Sequence, residues 1–196
     1  MKVLKNKLVL WLPVIIMIVL VIFGSVMIPS IDPAPKNLPI ALVNEDEGME
    51  LPAGQGVVRL GEELIRQVKK GSGETTTEDS AVKWIDIATY EQAMEGLNDQ
   101  NYYAALVIQK DFSQKQATLQ TTSPNPPEMT VLINQGSYPS AVNAATQMLN
   151  RIVDNANEAI RSQLLEGFEK QGASLSPQQD EALAVPITKT VTYVNE

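Results

Sequence analysis

The sequence has no cysteine and no histidine among its 196 residues. The absence of cysteine excludes disulfides, thiolate metal sites, iron–sulfur clusters and cysteine nucleophiles. The absence of histidine removes the Ser-His-Asp triad, histidine-ligated metals and the commonest general base. We therefore expect a protein that is not an enzyme and that carries no cofactor.

Positive charge is also scarce, because 15 lysines and arginines face 23 aspartates and glutamates, giving a net charge of -8. A protein that binds nucleic acid has to neutralise phosphates, so this balance argues against a nucleic-acid partner. The charges are unevenly placed: Lys2, Lys5 and Lys7 all precede the first acidic residue, Asp32.

A run of 21 residues without charge extends from Leu8 to Ile28. As a helix it would be about 31 Å long, which matches the hydrocarbon thickness of a bilayer. We predict a transmembrane helix over 8–28, with the lysines holding a basic tail, residues 1–7, in the cytoplasm. The side chains expected to anchor it in lipid are Trp11, Leu12, Ile16, Leu20 and Phe23. A cleaved signal peptide and a buried core helix are the alternatives, but the run is long for the first and lacks the polar face of the second.

Three prolines, Pro29, Pro33 and Pro35, follow this run and predict a linker over 29–36. Residues 37–196 should then form an extracytoplasmic domain in a bacterial cell envelope, with the lipid bilayer as the first partner of the chain.

Strand and helix patterns alternate in this predicted domain. Strands are predicted at 38–43, 82–87, 102–108, 129–133 and within 185–194. Helices are predicted over 56–70, after Thr89, from Asp111 or Ser113 towards Leu119, over 139–171 and after Ser176. The alternation predicts an α/β fold with one mixed sheet, flanking helices and one long amphipathic helix.

The helix predicted over 139–171 would be about 50 Å long, which exceeds the usual length in globular proteins. Its apolar side chains recur at three- and four-residue steps. Those predicted to face an oligomer or a partner helix are Val142, Leu149, Ile152, Ala156, Ile160 and Leu164. Two interpretations stay open: a contact with another copy or another membrane subunit, and packing of the helix on its own sheet.

The acidic cluster Glu45-Asp46-Glu47 could in principle bind a hard cation. The spacing of a calcium loop is not met, because Gly48 stands where a carboxylate would be needed. We predict a solvated turn and no metal site. The neighbouring residues Tyr102 and Tyr103 should point to opposite faces of a strand, one inward and one outward.

Several strings occur in a recognisable order. LPIALVNEDEG spans 38–48, YYAALVI spans 102–108, KDFS spans 110–113, and VLINQG precedes the long helix. With the lysine-flanked apolar run, this order resembles the YhgE/Pip (phage infection protein) family, within the superfamily of type-two ABC exporter permeases. Gln109 stands where most relatives have proline.

The resemblance implies one N-terminal helix, a large extracytoplasmic domain and several further membrane helices. No second apolar run of sufficient length follows Ile28, so we expect the N-terminal part of such a protein, either a fragment or a truncated member. The resemblance also implies phage attachment or a secretion system as the setting, with phage or secretion components as partners.

Two functions stay open. The chain could be the anchored exterior domain of a permease-like envelope protein that works by binding and assembly, or a single-pass cell-surface receptor. A third, a glycosidase that uses carboxylates alone, lacks a suitably spaced pair.

Overall fold

The computed structural model describes residues 36–51, 56–71, 80–172 and 174–195, all within one compact unit, Lys36–Glu196. The tail 1–7, the predicted membrane helix 8–28 with its anchoring side chains, and the linker up to Pro35 lie outside the described residues. Among the helices that are described, none combines the length and apolar character needed to cross a bilayer.

Short strands and helices alternate along the described chain. The strands are β1 (Leu38–Asn44), β2 (Met49–Glu50), β3 (Val57–Val58), β4 (Val82–Ile87), β5 (Ala104–Ile108), β6 (Glu128–Asn134) and β7 (Thr188–Val194). The helices are α1 (Leu60–Gly71), α2 (Tyr90–Asn98), α3 (Phe112–Thr118), α4 (Pro139–Gln171) and α5 (Pro177–Ala184).

The main sheet has five strands in the order β4-β1-β5-β6-β7. Strand β1 pairs in parallel with β4 and β5, β5 pairs antiparallel with β6, and β6 pairs in parallel with β7. The predicted mixed α/β fold is confirmed for this part of the chain.

The strand directions give the sheet two distinct ends. At the proximal end, which comprises residues 36–37, 80–81, 99–103, 135–138 and 195, strands β1, β4 and β5 begin and strands β6 and β7 finish. The distal end comprises residues 44–48, 88–89, 109–113, 125–127 and 185–187. The chain therefore enters β1 and leaves β7 at the same end.

The two faces of the sheet carry unequal layers. Alternation along β1 sends Leu38, Ile40 and Leu42 into a large apolar core shared with α1, α3, α4 and α5. Ala41 and Val43 point the other way, into a smaller core closed by α2. Strand β5 lies in the middle and is buried along its whole length, which explains its uninterrupted apolar sequence.

Helix α4 spans the residues predicted for it. Pro139 stands in its first turn, where a missing N–H costs least, and Gly172 follows it with a left-handed φ of 63°. Helix α5 begins after Ser176 as predicted, and a capping box between Ser176 and Gln179 satisfies its first turn.

Two predicted boundaries were wrong. Helix α1 begins at Leu60 rather than at Gly56, because Val57 and Val58 form a small antiparallel ladder with Met49 and Glu50. Strand β5 begins at Ala104 rather than at Tyr102, because the two tyrosines belong to the turn from α2.

Candidate functional site: the carboxylate hub and the groove of the long helix

The turn after β1 buries one of its three carboxylates. Asp46 is 6% exposed. Its Oδ1 accepts hydrogen bonds from the backbone N–H of Ser113 at 3.0 Å and of Gly48 at 3.2 Å. Its Oδ2 accepts from the backbone N–H of Gly61 at 3.0 Å and from the hydroxyl of Ser113. The prediction of a solvated turn was therefore wrong for Asp46, although Glu47 is exposed.

Ser113 completes this junction and is itself fully buried. Its hydroxyl oxygen also accepts a hydrogen bond from the backbone N–H of Leu60 at 2.7 Å. The two strings NEDEG and KDFS, far apart in the sequence, thus meet through Asp46 and Ser113. Sequence reasoning missed this contact, because a pattern read along the chain does not reveal a partner 67 positions away.

The neighbouring carboxylate, that of Glu45, accepts a hydrogen bond from a third helix. Glu45 Oε1 accepts a hydrogen bond from the backbone N–H of Tyr90, at the start of α2, at 3.0 Å. Helices α1, α2 and α3 all begin at the distal end, and each receives a carboxylate oxygen at its N-terminal amides. We call Glu45, Asp46 and Ser113 the carboxylate hub.

The electrostatics of the hub follow from the helix dipole. The first N–H groups of a helix lack partners within the helix and carry partial positive charge, so they favour an anion. In doubly wound sheets the corresponding crevice beside the strand ends commonly binds an anionic ligand. Here two carboxylates of the chain itself lie in this position.

Two glycines make room for the hub. A Cβ on Gly61 would lie 2.8 Å from both Asn44 Oδ1 and Asp46 Cβ. Gly48 has a φ of +85°, and a Cβ there would lie 2.5 Å from Val57 Cγ1. Any larger residue at either position would displace the turn from the helix ends. Across the described ranges, no group of three or more acidic side chains is placed to hold a metal ion.

At the proximal end, neutral side-chain amides form the buried hydrogen bonds. Asn134 is fully buried, and its Nδ2 donates to the carbonyl of Leu97 at 2.6 Å. Its Oδ1 accepts from the backbone N–H of Gly136 and from Nδ2 of Asn195, both at 3.1 Å. Leu97 lies in the last turn of α2, where backbone carbonyls have no N–H donor within the helix. The side-chain amides of Asn134 and Asn195 supply the missing donors.

The tyrosine pair divides between the two cores, so the prediction that one ring points outward was wrong: neither residue lies in a strand, and both rings contact apolar side chains. Tyr102 is 3% exposed in the smaller core, and its hydroxyl donates to the carbonyls of Ala93 and Gln92 at 3.0 and 3.1 Å. Burial raises the pKa of the Tyr102 phenol above 10.0, and the carboxylates of Asp99 and Glu95 raise it further. Tyr103 is half-buried against the larger core.

A groove runs beside the second half of α4, where this helix passes α1 and α3. It has a volume of about 840 Å³, and a second hollow of about 460 Å³ adjoins it and shares the lining residues Leu64 and Ala156. Its apolar floor includes Leu60, Ile160 and Leu164, and its rim carries glutamines, among them Gln67 and Gln163. Glu63 is a charged residue of its lining. Such a surface can bury apolar side chains of a polypeptide and pair carboxamides with it.

Comparison with known protein families shows which family the chain belongs to. The family described as "ABC-2 family transporter protein" matches residues 7–195. The chain belongs to this family. The match covers both the predicted membrane segment and the α/β domain, which makes this a transporter-related membrane protein.

One solved structure resembles this ABC-2 family chain. It is the crystal structure of a domain assigned to an ABC type-2 transporter of Thermotoga maritima MSB8, at 15% sequence identity. The similarity covers 79% of this chain and 86% of that one, with a TM-score of 0.49. A comparison with curated proteins gave no match.

The helix face predicted to meet a partner lies within the domain itself. Val142, Leu149, Ala156, Ile160 and Leu164 are buried in the larger core, and Ile152 is half-buried against it. In this ABC-2 family chain the stripe thus packs on its own domain, which is the second of the two interpretations left open above. Ala156, Ile160 and Leu164 also line the groove.

Proposed function

We propose that the protein is a YhgE/Pip-type member of the ABC-2 family, anchored in a bacterial cell membrane by residues 8–28. In this proposal the tail 1–7 is cytoplasmic and the α/β domain is extracytoplasmic. The observation that carries the proposal is that one family match runs through the charge-free segment and the domain together. Three lysines before that segment favour a cytoplasmic N-terminus.

The exterior domain works by binding and assembly within a transport or secretion system, not by catalysis. Three observations support this. The chain lacks cysteine and histidine, its own carboxylates lie in the crevice at the distal end, and the groove beside α4 is lined mainly by apolar and carboxamide side chains, with Glu63 among them. The partners of this class are another membrane subunit or a second copy of the chain.

Site-specific photo-crosslinking in intact cells tests the proposed function. A photoreactive residue replaces Gln163 on the groove rim or, as a matched control, Gln147, which is exposed on the same helix away from the groove. The proposal expects a discrete crosslink to a membrane protein from position 163 and none from position 147. If neither position crosslinks and loss of the chain abolishes phage adsorption, the protein is a single-pass receptor instead.

A further inference from the structure

Exposed tyrosines concentrate at the proximal end of the sheet. Of the five tyrosines in the chain, Tyr102, Tyr103 and Tyr138 lie in proximal turns, and Tyr193 is the last residue but one of β7. Tyr138 is 73% exposed and Tyr193 is 50% exposed. In the described part of the chain, the other large apolar side chains with comparable exposure, Val57 and Val185, lie near the distal end.

The chain enters the domain at this same end, at Lys36. Under the function proposed above, the membrane helix ends at Ile28, eight residues earlier. Even when fully extended, eight residues reach no more than about 28 Å. The predicted linker therefore limits how far Lys36, and with it the proximal end, can lie from the bilayer surface.

The chemistry of the proximal end suits the interface of a bilayer. Tyrosine combines an apolar ring with a polar hydroxyl, and it is enriched at the headgroup level of membrane proteins. Across the described residues of the proximal end, 36–37, 80–81, 99–103, 135–138 and 195, the charged residues are Lys36 and Asp99. The polar side chains that surround the tyrosines are mostly neutral amides and hydroxyls, so little charge would be desolvated by contact with lipid.

We propose that the proximal end rests on the outer leaflet and that Tyr138 and Tyr193 enter its headgroup region. This inference depends on the function proposed above. The contact involves the β5, β6 and β7 side of the end, where Tyr138 and Tyr193 lie and where Asp99 is the charged residue among those described. A neutral, zwitterionic lipid surface is therefore the partner.

Fluorescence quenching in vesicles tests the contact, and the lack of native cysteine allows one label per chain. The full chain is reconstituted in phosphatidylcholine vesicles that contain a headgroup nitroxide lipid. A fluorophore is attached through Gln135→Cys, in the exposed turn beside Tyr138, or through the control Val185→Cys near the distal end. A seven-residue strand is about 23 Å long, so the control label lies beyond the reach of the quencher.

We expect the label at position 135 to lose most of its fluorescence and the label at position 185 to lose none. Adding Tyr138→Ser and Tyr193→Ser should restore much of the lost signal at position 135, whereas Val57→Ser should not. Equal quenching at both positions, or none at either, would overturn the contact. Flotation of the same vesicles reports the anchor separately: a chain that fails to float contradicts the proposed function, whereas a floating chain without differential quenching contradicts only this inference.

Discussion

At both ends of the sheet a buried polar side chain forms hydrogen bonds with the end of a helix, but the two side chains differ in charge. At the distal end the buried polar group is a carboxylate, Asp46, and it accepts four hydrogen bonds from two helix beginnings and the turn. At the proximal end it is a neutral amide, Asn134, and it donates to the last turn of a helix. Helix α2 has a partner of each kind, Glu45 at its first amide and Asn134 at the carbonyl of Leu97.

Each buried group thus matches the end of the helix dipole that it contacts. An N-terminus favours a negative acceptor, and a C-terminus favours a donor. The following substitutions test that comparison in order of decreasing effect.

The largest effect is expected from Asp46→Ala, which leaves several buried donors without an acceptor. Because hydrogen bonds to charged groups are strong and buried donors are costly to orphan, the domain 36–196 should lose at least about 3 kcal/mol of stability. Urea unfolding measures this loss. The control Glu47→Ala removes the adjacent exposed carboxylate and should change stability by less than about 0.5 kcal/mol. Similar losses for the two variants would refute a buried hub.

A charge placed at the proximal end should be nearly as harmful. Asn134→Asp removes the donor to the carbonyl of Leu97 and sets a carboxylate oxygen against it. We expect a loss of about 2–3 kcal/mol at neutral pH. The cost should shrink on acidification relative to the unsubstituted domain, because the protonated carboxyl regains a donor. A variant as stable as the parent would show that the proximal end does not require a neutral group.

Replacing two helical glycines by alanine should change the stability of the domain in opposite directions. A Cβ on Gly96 would lie 2.1 Å from the hydroxyl oxygen of Tyr102, whereas one on Gly167 meets nothing within 4 Å. Gly96→Ala should therefore cost about 2 kcal/mol through overpacking. Gly167→Ala should stabilise the domain by about 0.5–1 kcal/mol, because alanine favours the helix. Thermal unfolding should show a lower Tm for Gly96→Ala and a higher Tm for Gly167→Ala. Equal changes in Tm would contradict the packing of α2 on Tyr102.

The smallest effect concerns the pH dependence of the smaller core. The raised pKa of Tyr102 means that the folded state keeps its proton to higher pH than the unfolded state. This contribution to stability is complete below pH 10 and is lost as the pH rises through the pKa of the folded state. Tyr102→Phe should cost about 1 kcal/mol at neutral pH and flatten the alkaline decline. If stability falls as steeply at alkaline pH in Tyr102→Phe as in the parent, groups other than Tyr102 cause the fall.

Much of the fold was predictable because its signals are local. Pro139 and Gly172 bound α4, the apolar runs mark the central strands, and the capping box marks α5. The short strands β2 and β3 were missed, because a two-residue ladder has no periodicity. The carboxylate hub was also missed, since the burial of Asp46 depends on Ser113 and Gly61, which only the folded chain brings together. The groove likewise arises from three separate helices.

The most direct test of the central proposal, an anchored domain outside the cytoplasm, is the labelling of single cysteines in intact cells. Val185 is 52% exposed, so Val185→Cys should be accessible to a maleimide that does not cross membranes. Asn6→Cys, in the predicted cytoplasmic tail, is the control. The proposal predicts that position 185 reacts in intact cells and that position 6 reacts only after lysis. Reaction of position 6 in intact cells, with position 185 protected until lysis, would contradict it.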